Sequence, residues 1–381
     1  MTTTTVKPGA VKKVVVLSVS AGAGHVRAAE ALVAAAAIHH PAVEVVHIDV
    51  MELVPRLFRK IYAESYVDVV NRHPALWGYL YHTADRVRPD SALTQVRRGI
   101  EGINTRGLVK KLEQLAPDVV ICTHFLPAQI LSRLIAKRRF AKPVWVVVTD
   151  FDVHALWVHP HLTGYCAAAE EIAWRMRERG LADTRIEVTG IPIMPVFAEA
   201  RSRKACAAEV GINPACPTLL VMSGGLGVGA IDQLCERILG IPGDHQVIAL
   251  AGRNVALLDR LKEIATAHPG RLFPQGFTRT IERLMACADL ALTKPGGLTT
   301  SECLAVGLPM LVVSPIPGQE ERNADYLLEA GAALKAHDLA GVEYRLRGLL
   351  ADRGRLMAMR NRALAIATPD AARAVLRHAL G

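Results

Sequence analysis

The stretch from Thr293 to Asn323 constrains the fold most, because strand, loop and helix succeed one another there twice. Asp289 to Leu292 is an apolar run that reads as a buried strand. It stops at Lys294-Pro295-Gly296-Gly297, a loop whose two glycines carry no side-chain bulk. A helix is expected next, with Thr299 or Thr300 able to cap it and Glu302 in its first turns. Pro309 to Val313 reads as a second strand, and a further loop leads to a second helix starting at Glu320. Both units aim loops and helix N-termini at one edge of a parallel sheet, where open α/β sheets take their ligands. Unpaired N–H groups and the helix dipole there favour a phosphate. Glu302 has the phosphate's own sign, and an acceptor-only carboxylate suits a vicinal diol such as a ribose. Gln319 and Glu320 add polar groups one strand away, at a spacing suited to a sugar.

The N-terminal half has the same rhythm. Val11 to Val19 is an apolar strand that runs into Ser20-Ala21-Gly22-Ala23-Gly24-His25 and an alanine-rich helix to about Ile38. Val43 to Ile48 is a second strand closed by Asp49. The turn resembles a dinucleotide fingerprint, but Arg27 holds the third glycine position, where helix and strand must pack closely, so nicotinamide and flavin are set aside. His25, at a helix start beside a glycine loop, reads equally as a base and as a capping group. Thr149-Asp150-Phe151-Asp152-Val153-His154, followed by Trp157, again comes straight after a strand, and Asp150 or His154 is placed for proton transfer. Gly190 to Pro195 reads as a hinge with two prolines. Beyond it, Leu219 to Met222 is a strand and Ser223 to Gly229 a glycine-rich turn, with Gly224, Gly225 and Gly227 suited to close approach of a diphosphate. Arg253 follows a later strand with a guanidinium suited to diphosphate. Phe277 precedes a helix and could line a base pocket.

The chain of 381 residues suggests two domains on the usual size prior, and its net charge of +9 favours an anionic partner. No recognised nucleic-acid module appears, and nucleic acid is set aside. Seven cysteines are scattered without a CxxC pair, which fits free thiols in a reducing compartment and argues against zinc. No apolar run is long enough to span a bilayer, and Met1 to Ala10 does not read as a signal peptide. In Leu53 to Arg88, Phe58, Tyr62 and Tyr66 recur at helical spacing, and Trp77 and Tyr81 follow. Arg97 and Arg98 belong to the basic run behind them. On the residues alone this is an amphipathic helix facing the core with a solvated basic face.

Taken together, SAGAGHVRAAE (Ser20–Glu30), ALWGYLY (Ala75–Tyr81), Thr149–Trp157, Gly190–Pro195, Ser223–Gly229, Gly252–Asn254, Gly276-Phe277 and above all KPGGLTTSE, GLPM and PIPGQEERN resemble the diacylglycerol glycosyltransferases. These are the bacterial processive diacylglycerol glucosyltransferases and the monogalactosyldiacylglycerol synthases of glycosyltransferase family 28. They are related to the N-acetylglucosaminyltransferase that completes lipid II. The resemblance runs across nearly the whole chain. It departs at Cys166-Ala167-Ala168-Ala169-Glu170, where the family tends to have an acidic residue opening a strand.

The resemblance implies an α/β protein of the GT-B class, with two Rossmann-like open parallel-sheet domains facing each other across a cleft. Residues 1–195 would form the lipid-acceptor and membrane-facing domain and 196–360 the UDP-sugar domain. Residues 361–381 would be a C-terminal helix packing back on the first domain. Glu302 would take the ribose hydroxyls, and Gln319 and Glu320 those of the hexose. Ser223 to Gly227, Arg253, Gly296 and Gly297 would surround the diphosphate, Phe277 would border the uracil, and Lys294 and Thr299 would belong to the same donor site. His25 would be the base and Asp150 the second choice, with Gly24, His154 and Trp157 on the acceptor side. Phe58, Tyr62, Tyr66, Trp77, Tyr81, Arg97 and Arg98 would now meet an anionic membrane surface. The implied reaction is an inverting transfer of glucose or galactose from UDP-hexose to diacylglycerol or glycosyl-diacylglycerol, by a peripheral enzyme at the cytoplasmic face of the cell membrane. UDP-sugar is a substrate, no cofactor is expected, and no metal is required. Asp150-Phe151-Asp152 has a metal-binding spacing but lies in the acceptor half. The competing readings are N-acetylglucosaminyl transfer to a polyprenyl-diphosphate lipid and a weakly catalytic UDP-sugar sensor that binds a protein.

Overall fold

The computed structural model describes residues 13–20, 22–54, 106–222 and 231–381. The expected membrane-facing residues Phe58, Tyr62, Tyr66, Trp77, Tyr81, Arg97 and Arg98 lie outside these. So do Ser223, Gly224, Gly225 and Gly227 of the glycine turn. The chain divides into two compact units, residues 1–195 with 370–381 and residues 196–369.

The first unit is a six-stranded, wholly parallel sheet in the order β2-β1-β3-β4-β5-β6. Its strands are β1 Lys13–Ser18, β2 Glu44–Asp49, β3 Val119–Cys122, β4 Val144–Val147, β5 Gly164–Ala167 and β6 Arg185–Val188. Apolar runs without alternation, such as VVIC and VWVV, bury both faces, as strands covered by helices on each side must. Helix α1, Ala23–His39, packs Ala29, Ala31, Leu32, Ala35 and Ala36 against Val14, Val16, Val119 and Ile121. Small side chains let this helix sit close to the sheet. Arg27 does not obstruct the packing, as the sequence suggested it would. Its guanidinium turns outward and donates to Glu30 at 2.8 Å, while Ala28 and Ala29 face the sheet. Helices α2, Phe125–Ala136, and α3, Glu170–Met176, follow β3 and β5.

The second unit repeats the plan in the order β12-β11-β10-β7-β8-β9, again all parallel. Its strands are β7 Thr218–Val221, β8 Gln246–Gly252, β9 Leu272–Gly276, β10 Leu290–Thr293, β11 Met310–Val313 and β12 Ala333–Ala336. The helices are α4 Arg203–Val210, α5 Ile231–Leu239, α6 Val255–Ala267, α7 Ile281–Cys287, α8 Gly297–Ala305, α9 Gln319–Glu329, α10 Leu339–Ala351 and α11 Arg353–Ala365. One core of Leu219, Val221, Ile238, Val247, Leu292, Leu311, Leu346 and neighbours holds helices to the sheet. The last helix, α12 Ala371–Leu380, belongs to the first unit, where Ala372, Val375, Leu376 and Ala379 join the α1 core.

Both strand orders reverse direction once. In the first sheet the chain goes from β1 outward to β2 and returns to place β3 on the other side. In the second it goes β7, β8, β9 and returns to place β10 beside β7. The C-terminal ends of β1 and β3, and of β7 and β10, are therefore the switch points where loops part and leave a crevice.

Candidate active site

At the first switch point stands His25, the third residue of α1, whose N-cap is Gly22. Gly22 adopts φ 143°, a conformation open to a residue without Cβ, and makes no side-chain cap. The ring is not a cap either. Its Nδ1 lies 2.9 Å from the Thr123 carbonyl oxygen, just past β3, and 2.9 Å from Thr149 Oγ1, past β4. A carbonyl oxygen at that distance needs a proton between, so Nδ1 carries the hydrogen and donates it, leaving Nε2 as the bare nitrogen. The Thr123 hydroxyl donates back to the main-chain carbonyl of His25 at 2.8 Å, so one buried threonine holds both ends of the residue.

Two aromatic rings face this imidazole and a third packs behind them. His124 meets it edge-on with ring centroids 4.5 Å apart, and Trp157 lies 6.2 Å away. Phe125 packs against both His124 and Trp157. His25 keeps part of its surface accessible, yet these atoms displace enough water that desolvation pulls its pKa down to about 4. The hydrogen bond to Thr123 offsets only part of that. An ordinary histidine titrates near 6.5, so this ring stays neutral to a lower pH than histidine in solution. His124 is buried and is pushed well below the usual histidine value by desolvation and by His25. Its Nδ1 accepts the Leu126 N–H at 3.0 Å, so its proton sits on Nε2.

The other acceptor-side residues are anchored. His154 is buried and caps a short 3-10 turn, with Nδ1 accepting from Leu156 N–H at 3.2 Å. Trp157 is 4 % exposed and contributes to the wall of the site. Asp150 is buried directly after Thr149. Asp152 has Arg175 at 3.8 Å. Asp49, the acid at the end of β2, accepts from Ser20 N–H and Met51 N–H, which fixes the loop leading to Gly24 and His25.

At the second switch point, helix α8 begins at Gly297 with Gly296 as N-cap and no side-chain cap. Thr299 and Thr300 are not caps, as the sequence suggested, because the helix starts before them. The two glycines bring backbone to the sheet edge, and the first turn of α8 contains no acidic residue of its own. Thr299 is half-buried there. Thr300 Oγ1 is buried with no hydrogen-bond partner among the described residues. Glu302 lies one turn further along, 9 % exposed, and Lys294 is half-buried at the loop's start. The loop after β11 comes close to the loop after β10: a Cβ added at Gly296 would lie 3.9 Å from Glu320 Oε1. Glu320 Oε2 accepts from Ile316 N–H at 2.6 Å, and Glu321 accepts from Gly318 N–H at 3.0 Å. Gly318, with φ 90°, makes the turn that starts α9 at Gln319, which is half-buried. Arg253 follows the bulged end of β8, and Phe277 follows β9. The Arg253 guanidinium lies 4.7 Å over the Phe277 ring, which is 54 % exposed. The sequence assigned the two residues to different parts of a nucleotide, and the structure stacks them.

Sequence reading missed Thr123, His124, Phe125 and the hydroxyl of Thr149. The signal was present, since Thr123-His124-Phe125 ends an apolar strand as the singled-out motifs do. Among the described residues, no group of three or more His, Cys, Asp or Glu is placed to hold a metal. No described helix is long and apolar enough to cross a membrane.

Residues 25–193 match the family described as monogalactosyldiacylglycerol (MGDG) synthase. A processive diacylglycerol beta-glucosyltransferase from Bacillus thuringiensis (strain Al Hakam) is 32% identical over 273 residues, covering 68% of this chain and 67% of its own length. The protein of the same name from Bacillus licheniformis is 33% identical over 258 residues, 66% of each chain, so the chain spans just under two thirds of that relative. The one from Bacillus subtilis (strain 168) is 26% identical over 354 residues, 92% of this chain and 90% of that one. Among solved structures, MurG of Acinetobacter baumannii superposes with a TM-score of 0.65 at 17% identity, over 97% of this chain and 99% of MurG. HepE of Anabaena, in complex with UDP and glucose, superposes with a TM-score of 0.55 at 14% identity, over 96% and 99%. These likenesses of architecture make the fold GT-B.

Proposed function

This chain belongs to the family of diacylglycerol glycosyltransferases, and from that membership we infer that it moves a hexose from a UDP-hexose to the free hydroxyl of diacylglycerol, giving a β-glycosyl diacylglycerol. We propose glucose as the hexose, supported by the relatives named as glucosyltransferases. The observation that carries the reading is that each unit sets polar groups at its own switch point, with complementary chemistry. One holds a neutral imidazole with a bare nitrogen. The other holds a helix N-terminus, a buried carboxylate and a guanidinium stacked on an aromatic ring.

In the proposed reaction His25 Nε2 takes the proton of the acceptor hydroxyl as its oxygen attacks the anomeric carbon, and UDP leaves from the opposite face. Holding two reactants in line is itself a large part of such catalysis. Backbone N–H groups at Gly297 onward and Arg253 would meet the charge growing on the diphosphate. Glu302 would bind the ribose hydroxyls, and Gln319 and Glu320 those of the hexose. Arg253 and Phe277, being stacked, would meet the nucleotide together at the base and its first phosphate. No metal is proposed, supported by Asp152 lying beside Arg175. We propose a peripheral enzyme that works at an anionic membrane surface, supported by the net charge of +9. The test is incubation of the purified chain with diacylglycerol vesicles and each labelled UDP-hexose, with separation of the lipid products. Glycosyl-diacylglycerol formed preferentially from UDP-glucose is expected. No lipid product from either sugar overturns the activity, and a preference for UDP-galactose overturns the choice of glucose.

A further inference from the structure

We propose that Thr149 is a positioning residue for the transfer. Its hydroxyl oxygen and the Thr123 carbonyl together hold the Nδ1 side of His25, so that Nε2 faces the acceptor and the imidazolium formed there is met by two neutral oxygens instead of a carboxylate. The proposal rests on the reading of His25 as the base.

Both oxygens lie 2.9 Å from Nδ1 and come from adjacent strands, Thr123 past β3 and Thr149 past β4. Thr149 is 3 % exposed and Thr123 fully buried, so neither oxygen is replaced by bulk water. Among the described residues, the two oxygens within hydrogen-bond distance of Nδ1 are a carbonyl and a hydroxyl. Of the titratable and charged groups around it, His124 is neutral and edge-on from the start of α2. Arg27 and Glu30 of α1 are paired with each other, and Asp49 past β2 is engaged by backbone N–H groups. Asp150, next to Thr149, is buried.

The accounting is that of a displacement. The acceptor O–H bond breaks and its proton goes to Nε2. The acceptor oxygen bonds to the anomeric carbon, and the bond from that carbon to the UDP oxygen breaks with its electron pair leaving on UDP. The ring now carries a proton on each nitrogen, and Nδ1–H is shared between the Thr123 and Thr149 oxygens. A hydrogen bond to a charged group is the stronger kind, so this pair counts for more after proton transfer than before it. A carboxylate in the same place would leave the resting ring partly protonated near neutrality, and two neutral oxygens do not.

The experiment compares Thr149→Val, Thr149→Ser and Thr149→Asp in the full chain. It reads kcat, KM for UDP-hexose, the pH profile of kcat/KM and the ¹⁵N signals of the His25 imidazole. Thr149→Val keeps the shape and is expected to lower kcat about tenfold with KM nearly unchanged, and Thr149→Ser to restore it. Thr149→Asp is expected to move the acid limb of the pH profile upward toward neutrality. The ¹⁵N spectrum should show one tautomer, protonated at Nδ1, in the parent chain, and in Thr149→Val a shifted Nδ1 signal, with the Thr123 carbonyl keeping the proton on that nitrogen. Wild-type kcat in Thr149→Val, a Thr149→Ser variant as impaired as Thr149→Val, or an unmoved limb in a folded Thr149→Asp overturns the proposal. Full activity in His25→Gln would instead overturn the base itself. The ¹⁵N comparison needs no turnover, so it still decides whether Thr149 holds Nδ1.

Discussion

If His25 is the base, the enzyme should tolerate acid far better than an ordinary histidine would allow. The perturbation is pH, and the magnitude follows from the site. Burial beneath Trp157 and beside His124 pulls the ring down to about 4. Only the neutral ring accepts a proton, so the activity it supports is complete well above that value and is lost as pH falls through it. Between pH 7 and pH 5 a base of that pKa keeps about nine tenths of its neutral fraction, whereas one at the ordinary value of about 6.5 keeps roughly one twenty-fifth. The assay is kcat/KM for UDP-hexose on a detergent-dispersed acceptor from pH 4 to 8, since that parameter reports the free enzyme. Near-constant kcat/KM down to about pH 5 is expected. His25→Gln should lower kcat about 10²- to 10⁴-fold and leave the UDP dissociation constant almost unmoved, because every proposed donor residue lies beyond Pro195. A limb near 6.5 in the parent enzyme that vanishes in His25→Gln would refute the desolvation argument. A His25→Gln variant with more than about a tenth of the parent kcat would remove His25 as the base and pass the role to Asp150.

Glu302→Ala should reduce kcat/KM for UDP-hexose at least about tenfold, since a charged hydrogen bond to a hydroxyl contributes roughly 1.5–3 kcal/mol, and should leave lipid binding intact. An unchanged value would take Glu302 out of the donor site. Activity should survive excess EDTA; loss on chelation with recovery on Mg²⁺ or Mn²⁺ would defeat the metal-free proposal. Vesicles containing anionic lipid should sediment the protein and raised salt should release part of it, because each basic residue near such a surface contributes about 1 kcal/mol within a Debye length. Equal binding to neutral vesicles, indifferent to salt, would make the positive charge a solvated feature.

The two parallel sheets were legible because their strands are short and apolar and stop at polar or glycine-containing loops, most of which lead into a helix with its own period. Gly296-Gly297, Arg253 and Phe277 were found at strand ends by that rhythm alone. The start of α8 was misplaced because threonine normally wins the cap. Here the glycine pair lets the backbone enter the helix earlier, which composition alone does not show. The surroundings of His25 were out of reach for a different reason. Its partners Thr123 and Thr149 stand 98 and 124 residues along the chain, and only the strand order β1-β3-β4 brings them together. Its pKa depends on the same assembly. A histidine read one residue at a time carries its solution value, and the walls that displace water from it come from the loops after β3 and β4.

The two sites draw opposite consequences from one device. A helix N-terminus carries about half a positive charge, felt over the first turn. In the first unit that turn of α1 contains His25 and no acid. The dipole therefore acts in the same direction as burial and disfavours a proton on the resting ring. In the second unit the first turn of α8 likewise has no acid, and its N-cap is a bare glycine. There the same positive end would meet the proposed diphosphate, with the Glu320 carboxylate of the next loop close to Gly296. On the proposed mechanism the first helix would keep a base unprotonated until an acceptor hydroxyl supplies the proton, and the second would gather the charge that UDP carries away. Placing an acid in the first turn of either helix should work against its unit. Near α1 it would raise the affinity of His25 for protons and bring the acid limb up in pH. Near α8 it would repel the leaving group and lower kcat, with no shift in that limb. That separation makes the two helix ends distinguishable in one pH series.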